Sequence, residues 1–139
     1  MPAPSASQPP AANLTPDILL VDDNEQNLEL LGAFLEEFEA AGGTVRTAKD
    51  GLEALKAIQA KVPDALLLDV MMPRMSGFQL CSKLKADPAT KHIPVMMVTA
   101  LNEISDVERA MECGADDFIS KPVNKVELVG RVKALLAGK

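Results

Sequence analysis

Four short strand-like runs, three apolar throughout and the fourth half apolar, lead directly into side chains that can do chemistry. Ile18 to Val21 is followed by Asp22 and Asp23, and Ala65 to Leu68 by Asp69. Val95 to Val98 is followed by Thr99, and Asp117 to Ser120 by Lys121 and Pro122. If a fold gathers these ends, each pair of carboxylates about 4 Å apart repels by roughly 4 kcal/mol at an effective dielectric near 20. Something must offset that repulsion. Protonation is one route, but a hard dication suits a cluster of carboxylates without His or Cys better. Mg²⁺ typically combines a few carboxylates with water and a phosphate, and Mn²⁺ accepts the same oxygen donors. With a cation on one side, the Lys121 ammonium and the Thr99 hydroxyl can stabilise a phosphoryl group from others. An Asp carboxylate can then act as nucleophile and form an acyl phosphate. Asp69, alone on its run, is the candidate nucleophile, while Asp22 and Asp23 are better placed to hold metal.

Those residues need a scaffold that brings four chain segments to one place. The apolar runs predict strands at Ile18 to Val21, Thr44 to Ala48, Ala65 to Leu68, Val95 to Val98 and Asp117 to Ser120. Helical spacing follows each of them. Leu28, Leu31, Leu35 and Phe38 mark the first helix, and Leu52, Leu55, Ile58 and Val62 the second. Phe78, Cys81 and Leu84 mark the third; Ile104, Val107 and Met111 mark the fourth, with a stop at Gly114. Leu128, Val132 and Leu135 mark the fifth. Alternating strands and helices predict an α/β fold of five βα units around a parallel sheet. The first, third and fourth strands read as continuous apolar runs, as strands covered on both faces do, while the second and fifth are mixed and belong at the edges. With right-handed crossovers this favours the order 2-1-3-4-5, the doubly wound, flavodoxin-like arrangement, whose switch point lies between strands one and three. Working sites in such sheets lie at the carboxyl ends of the strands near that point.

The chain has 139 residues, 47% apolar and 24% charged, which fits one globular domain. A net charge of −6 argues against a broad grip on nucleic acid or an anionic membrane. The N-terminus lacks a signal-peptide pattern and no apolar stretch reaches membrane-spanning length, so a cytoplasmic setting is expected. Residues 1–16, rich in Pro, Ala, Ser and Gln, read as a flexible leader ahead of a domain at 17–139. Cys81 and Cys113 lack the spacing or histidine company of a zinc or redox motif and are expected as reduced core thiols.

Five ordered motifs, spread from about Asp17 to Leu136, resemble one family. They are Leu20-Val21-Asp22-Asp23-Asn24, Leu68-Asp69-Val70-Met71-Met72-Pro73 with Ser76-Gly77, Val98-Thr99-Ala100, Gly114-Ala115-Asp116-Asp117-Phe118-Ile119, and Lys121-Pro122. The chain is similar to the CheY-like receiver domains of response regulators in two-component signalling. That resemblance implies Asp69 as phosphoacceptor, with a histidine kinase or histidine phosphotransfer protein as donor. It implies Asp23 and Asp69 as direct Mg²⁺ ligands, Asp22 acting largely through water, and the Met71 backbone carbonyl completing the protein's share. Lys121 would pair with the phosphoryl oxygens across a cis Lys121-Pro122 bond. Thr99 and Phe118 match the family's switch pair, and Met71 and Leu101 match positions that influence acyl-phosphate hydrolysis. Such a domain is a switch, catalysing only its own phosphorylation and dephosphorylation. One departure is visible: Phe38 to Gly43 makes the first helix and its loop about three residues longer than expected.

Each residue also has a plainer reading. Asp23 with Gln26 would suit a helix capping box, Asp116 and Asp117 solvated turn positions, and Met96, Met97 and Met111 core filling. His92 precedes Pro94 in an expected exposed loop. A pseudo-receiver that binds partners without phosphorylation is the competing function, and the intact set of Asp22, Asp23, Asp69, Thr99 and Lys121 counts against it. A phosphatase or mutase with an aspartyl nucleophile resembles a pattern with nucleophile and acid two residues apart after the first strand, where here Asp23 is followed by Asn24 and Glu25, and it usually carries a cap domain that 139 residues are not expected to accommodate.

Overall fold

The computed structural model describes residues 16–72, 74–100, 108, 109 and 111–137, with the Thr99 side chain outside that set. Five parallel strands form one sheet: β1 (Asp17–Val21), β2 (Thr44–Ala48), β3 (Ala65–Leu68), β4 (Val95–Thr99) and β5 (Asp117–Ser120), in the order β2-β1-β3-β4-β5. Val21 lies beside Ala48 and Leu68, and Thr99 beside Ser120, so the four reactive strand ends share one edge of the sheet.

Alternation along the strands divides the core into two layers, because successive side chains point to opposite faces. Leu19, Val21, Leu66, Leu68, Val95 and Met97 face one side. There they meet Ala54 and Ile58 of α3 (Gly51–Ala60) and Phe78, Leu80, Cys81 and Leu84 of α4 (Gly77–Ala86). Ile18, Leu20, Ala65, Leu67, Met96 and Val98 face the other. These pack on Leu28, Leu31 and Leu35 around α1 (Glu25–Phe34), on Phe38 of α2 (Glu36–Ala40), and on the apolar stripe of α5 (Lys125–Ala137). The continuous apolar runs are therefore the strands buried on both faces, as expected.

The edge strand β2 carries Arg46 for a structural purpose that composition did not reveal. Its guanidinium pairs with the buried Asp17 carboxylate at 2.9 Å and donates to the carbonyls of Ala57 and Lys61, tying β1, β2 and the end of α3 together.

Several sequence expectations are corrected. The first helix is not continuous: it breaks at Leu35, whose N–H reaches both Leu31 and Gly32 carbonyls, and the additional residues form the short α2. Gly43 closes that segment because a Cβ there would fall within 2.6 Å of the Pro16 carbonyl oxygen and 2.8 Å of that of Phe38. Of the expected markers, Ile58 is buried and Leu55 packs against the core, but Leu52 is exposed, as is Val62 beyond the end of α3, and the buried stripe runs through Gly51, Ala54 and Ile58. Small residues there let the helix sit close to the sheet. Met96 and Met97 are core residues, but Met111 is 66% exposed. Ile104, Val107 and most of the fourth helix lie outside the described residues, as do Leu101, Pro73 and the leader up to residue 15; Glu108, Arg109, Met111 and Glu112 are helical. Asp23 is not the cap of α1. Asn24 is, its side chain accepting from the N–H groups of Gln26 and Asn27, which leaves Asp23 uncommitted to capping. Asp116 and Asp117 are not merely solvated: Asp116 accepts from the Val95 N–H and Lys85 Nζ, and Asp117 from Arg131. His92 is exposed, and both cysteines are free and buried. Among the described residues no helix is long and apolar enough to cross a membrane.

Candidate functional site

The backbone holds the acidic side chains before any ligand does. The Asp22 N–H donates to the Ala48 carbonyl (3.1 Å) and the Asp69 N–H to that of Val21 (2.9 Å), so both residues continue the sheet by one rung. One carboxylate oxygen from each of Asp22, Asp23 and Asp69 lies within 4.8 Å of the other two. Asp22 and Asp69 are 1% and 5% exposed, while Asp23 faces solvent at the rim.

What partners exist are few. Asp22 accepts from the Asn24 N–H at 2.9 Å and from Lys121 Nζ at 3.2 Å. Lys121 Nζ stands 3.7 Å from Asp69, which also accepts a long 3.4 Å bond from the Met71 N–H. The Lys121-Pro122 bond is cis. Asp22 and Asp69 thus share the Lys121 ammonium, with Asp23 close by at the rim. Burial pushes the Asp69 carboxyl up to about 6, the Asp22 charge adds to that, and Lys121 and the Met71 N–H oppose it. A hollow of this kind, all carboxylate and under-neutralised, fits a hard divalent cation.

Glycine and a capping box shape the far wall. The Gly77 N–H donates to the Val70 carbonyl, and a Cβ on Gly77 would collide with the Asp69 carbonyl, so α4 begins pressed against the strand end. Ser76 and Gln79 cap that helix reciprocally. Arg74, at φ 67°, turns the intervening loop and reaches Asp50 at 3.5 Å. On the opposite side, an apolar groove of about 210 Å³ opens beside the site, lined by Asn27, Leu30, Leu31, Lys121, Pro122 and Val123.

The structure brings together Asp22, Asp23, Asp69 and Lys121, places Met71 on the adjoining loop, and leaves the Phe118 ring half-buried against the α3 and α4 layer. The Thr99 backbone ends β4 on the same edge. Sequence reasoning missed Asn24 as the residue that orders the turn after Asp22; the Asn two positions before Gln26 was the available signal.

Comparison with known proteins agrees with this geometry. The family model described as the response regulator receiver domain matches residues 18–133. The response regulator PleD of Caulobacter vibrioides is 49% identical over 120 residues, covering 85% of this chain and 25% of PleD. The polar-differentiation response regulator DivK of Brucella ovis is 37% identical, covering 88% of this chain and 98% of DivK. The crystal structure of the signal receiver domain of a signal transduction histidine kinase from Syntrophus aciditrophicus superposes with a TM-score of 0.80 at 41% identity, covering 89% and 92% of the two chains. The chain spans a quarter of PleD and 49% of the length of the regulator RpaA of Synechocystis. With the match running from the first strand into the last helix, and the acidic hollow in place at the strand ends, this chain belongs to the response regulator receiver domain family and is a phosphoacceptor switch.

Proposed function

We propose that Asp69 is the acceptor, receiving a phosphoryl group from a phosphohistidine of a histidine kinase or histidine phosphotransfer protein. The observation that carries this reading is the placement of Asp69: buried, central, and within 3.7 Å of a lysine that its neighbour Asp22 also engages. An Asp69 oxygen attacks phosphorus, the bond from phosphorus to the imidazole nitrogen breaks, and an acyl phosphate forms. Lys121 then exchanges part of its pairing with Asp22 for the new phosphoryl oxygens, stabilising charge that develops during transfer. Asp22, Asp23, Asp69 and the Met71 carbonyl are the groups that would hold Mg²⁺, or Mn²⁺ in its place. Bound there, the cation would neutralise the cluster and offset repulsion between carboxylates and an incoming phosphate.

The groove beside Lys121 supports a partner that presents an apolar surface next to its histidine. Thr99 and Phe118 would serve as the switch pair, the hydroxyl turning toward the phosphoryl group and the half-buried ring moving inward. Phosphorylation then shifts the population between two arrangements of the face near β5. The test is incubation with acetyl phosphate and Mg²⁺, followed by intact-mass measurement. Wild type gains one phosphoryl group, and Asp69→Asn or chelation of the metal abolishes the gain. Persistence of the gain in Asp69→Asn would move the acceptor elsewhere.

A further inference from the structure

A second pair of reactive side chains lies away from the acidic hollow. Cys81 and Cys113 are 32 positions apart in sequence and meet where α4 faces the segment that joins β4 to β5. The Cys81 thiol donates to the Cys113 carbonyl at 3.3 Å, and the two thiols also interact side chain to side chain. They differ in access. Cys81 is fully buried, while Cys113, 7% exposed, lies on the wall of an open groove of about 510 Å³.

The two elements form a seam at this place. Phe78, Cys81 and Lys85 lie along one stripe of α4 at steps of three and four. Opposite them, the Arg109 guanidinium sits 4.4 Å from the Phe78 ring centroid, Cys113 meets Cys81, and a Cβ on Gly114 would press on Lys85. Contacts above and below the thiols therefore hold their backbones in register. A disulfide needs Cβ atoms about 3.5–4.5 Å apart, and the Cys81 sulfur already lies 3.3 Å from the Cys113 carbonyl oxygen in a seam that keeps the two residues opposed.

We propose that Cys81 and Cys113 form an oxidisable dithiol that hydrogen peroxide converts to an intramolecular disulfide, pinning the segment between β4 and β5 to α4. The Cys113 sulfur attacks one peroxide oxygen; the O–O bond breaks, and the departing hydroxide leaves as water after taking up the thiol proton. The resulting sulfenic acid is attacked by the Cys81 sulfur; the S–O bond breaks, and a second water leaves with the Cys81 proton. Two thiols and one hydrogen peroxide become one disulfide and two waters. Burial and the neighbouring Cys113 thiol push the Cys81 thiol upward in pKa, so Cys113, on the groove wall, is the sulfur that meets peroxide first.

The test treats the whole chain with hydrogen peroxide, alkylates it under denaturing, non-reducing conditions, and maps the peptides. Oxidation of the exposed Met71 and Met111 reports that peroxide reached the protein. The expected result is one linked peptide pair containing Cys81 and Cys113, neither residue alkylated, reversed by dithiothreitol and absent in Cys113→Ser. Both thiols fully alkylated at doses that oxidise Met71 and Met111 would overturn the proposal. So would Cys113 stopping at sulfinic acid with Cys81 alkylated, or a link between two chains. None of these readouts depends on phosphorylation, so the dithiol and the assignment of Asp69 fail separately.

Discussion

Asp69 holds its proton to a pH at which most carboxylates have lost theirs. Its folded-state value of about 6 lies above the ordinary 3.8 because burial and the Asp22 charge outweigh the help of Lys121. Between those two values the folded chain retains a proton that the unfolded chain has released, so stability falls as pH rises through that window. At neutral pH the whole cost of the buried charge is present, on the order of 1–3 kcal/mol. Asp69→Asn should therefore stabilise the metal-free protein by about that amount at pH 7 and by little at pH 4, as measured by urea denaturation in a chelating buffer. An unchanged midpoint at pH 7 would mean that Lys121 compensates the cluster fully. Lys121→Met removes the ammonium that pairs with both Asp22 and Asp69. In that variant the Asp69 carboxyl should titrate above 6, read by carbon NMR of labelled aspartate, and phosphorylation by acetyl phosphate should slow at least tenfold.

Helix starts, rather than helix bodies, hold the site in shape. Asn24 caps α1 one residue beyond the acidic pair, and its backbone N–H fixes one oxygen of Asp22. Asn24→Ala loses the two side-chain bonds and should cost about 1 kcal/mol of stability. Gly77 begins α4 against the Asp69 carbonyl, where no side chain fits. Gly77→Ala must push the helix away or displace the strand end, an overpacking cost of about 1–3 kcal/mol. The same displacement should weaken Mg²⁺ binding several-fold by isothermal titration, whereas Asn24→Ala should leave it within a factor of two or three. Equal losses from both variants would show that the site senses stability alone. Apolar spacing located these helices but misjudged their faces where side chains are small. Leu52 is exposed while Gly51 and Ala54 are buried, because close approach to the sheet selects the small residues. A leucine stripe is a good guide to the core only where the helix stands off far enough to need one.

Across the whole molecule, stability rests on two apolar layers separated by one sheet. Leu67, in the central strand and 1% exposed, faces the layer formed with α1, α2 and α5. Leu67→Ala should cost about 2–5 kcal/mol, and saturating Mg²⁺ should recover part of that loss if, as proposed, the acidic hollow holds it, since that hollow exists only in the folded chain. A thermal shift with Mg²⁺ that is the same for wild type and Asp69→Asn would place the cation elsewhere. The sequence by itself determined the strands, their order and the identity of the acidic residues, since a strand buried on both faces has no choice but to be apolar throughout, and each run ends where the polar residues begin. Tertiary structure alone decided how the remaining charges are used. Arg46 meets Asp17, Lys85 meets Asp116 and Arg131 meets Asp117 across 29, 31 and 14 residues, and Cys81 meets Cys113 across 32. Such pairings depend on how neighbouring elements are laid side by side, a property of packing that local periodicity does not encode.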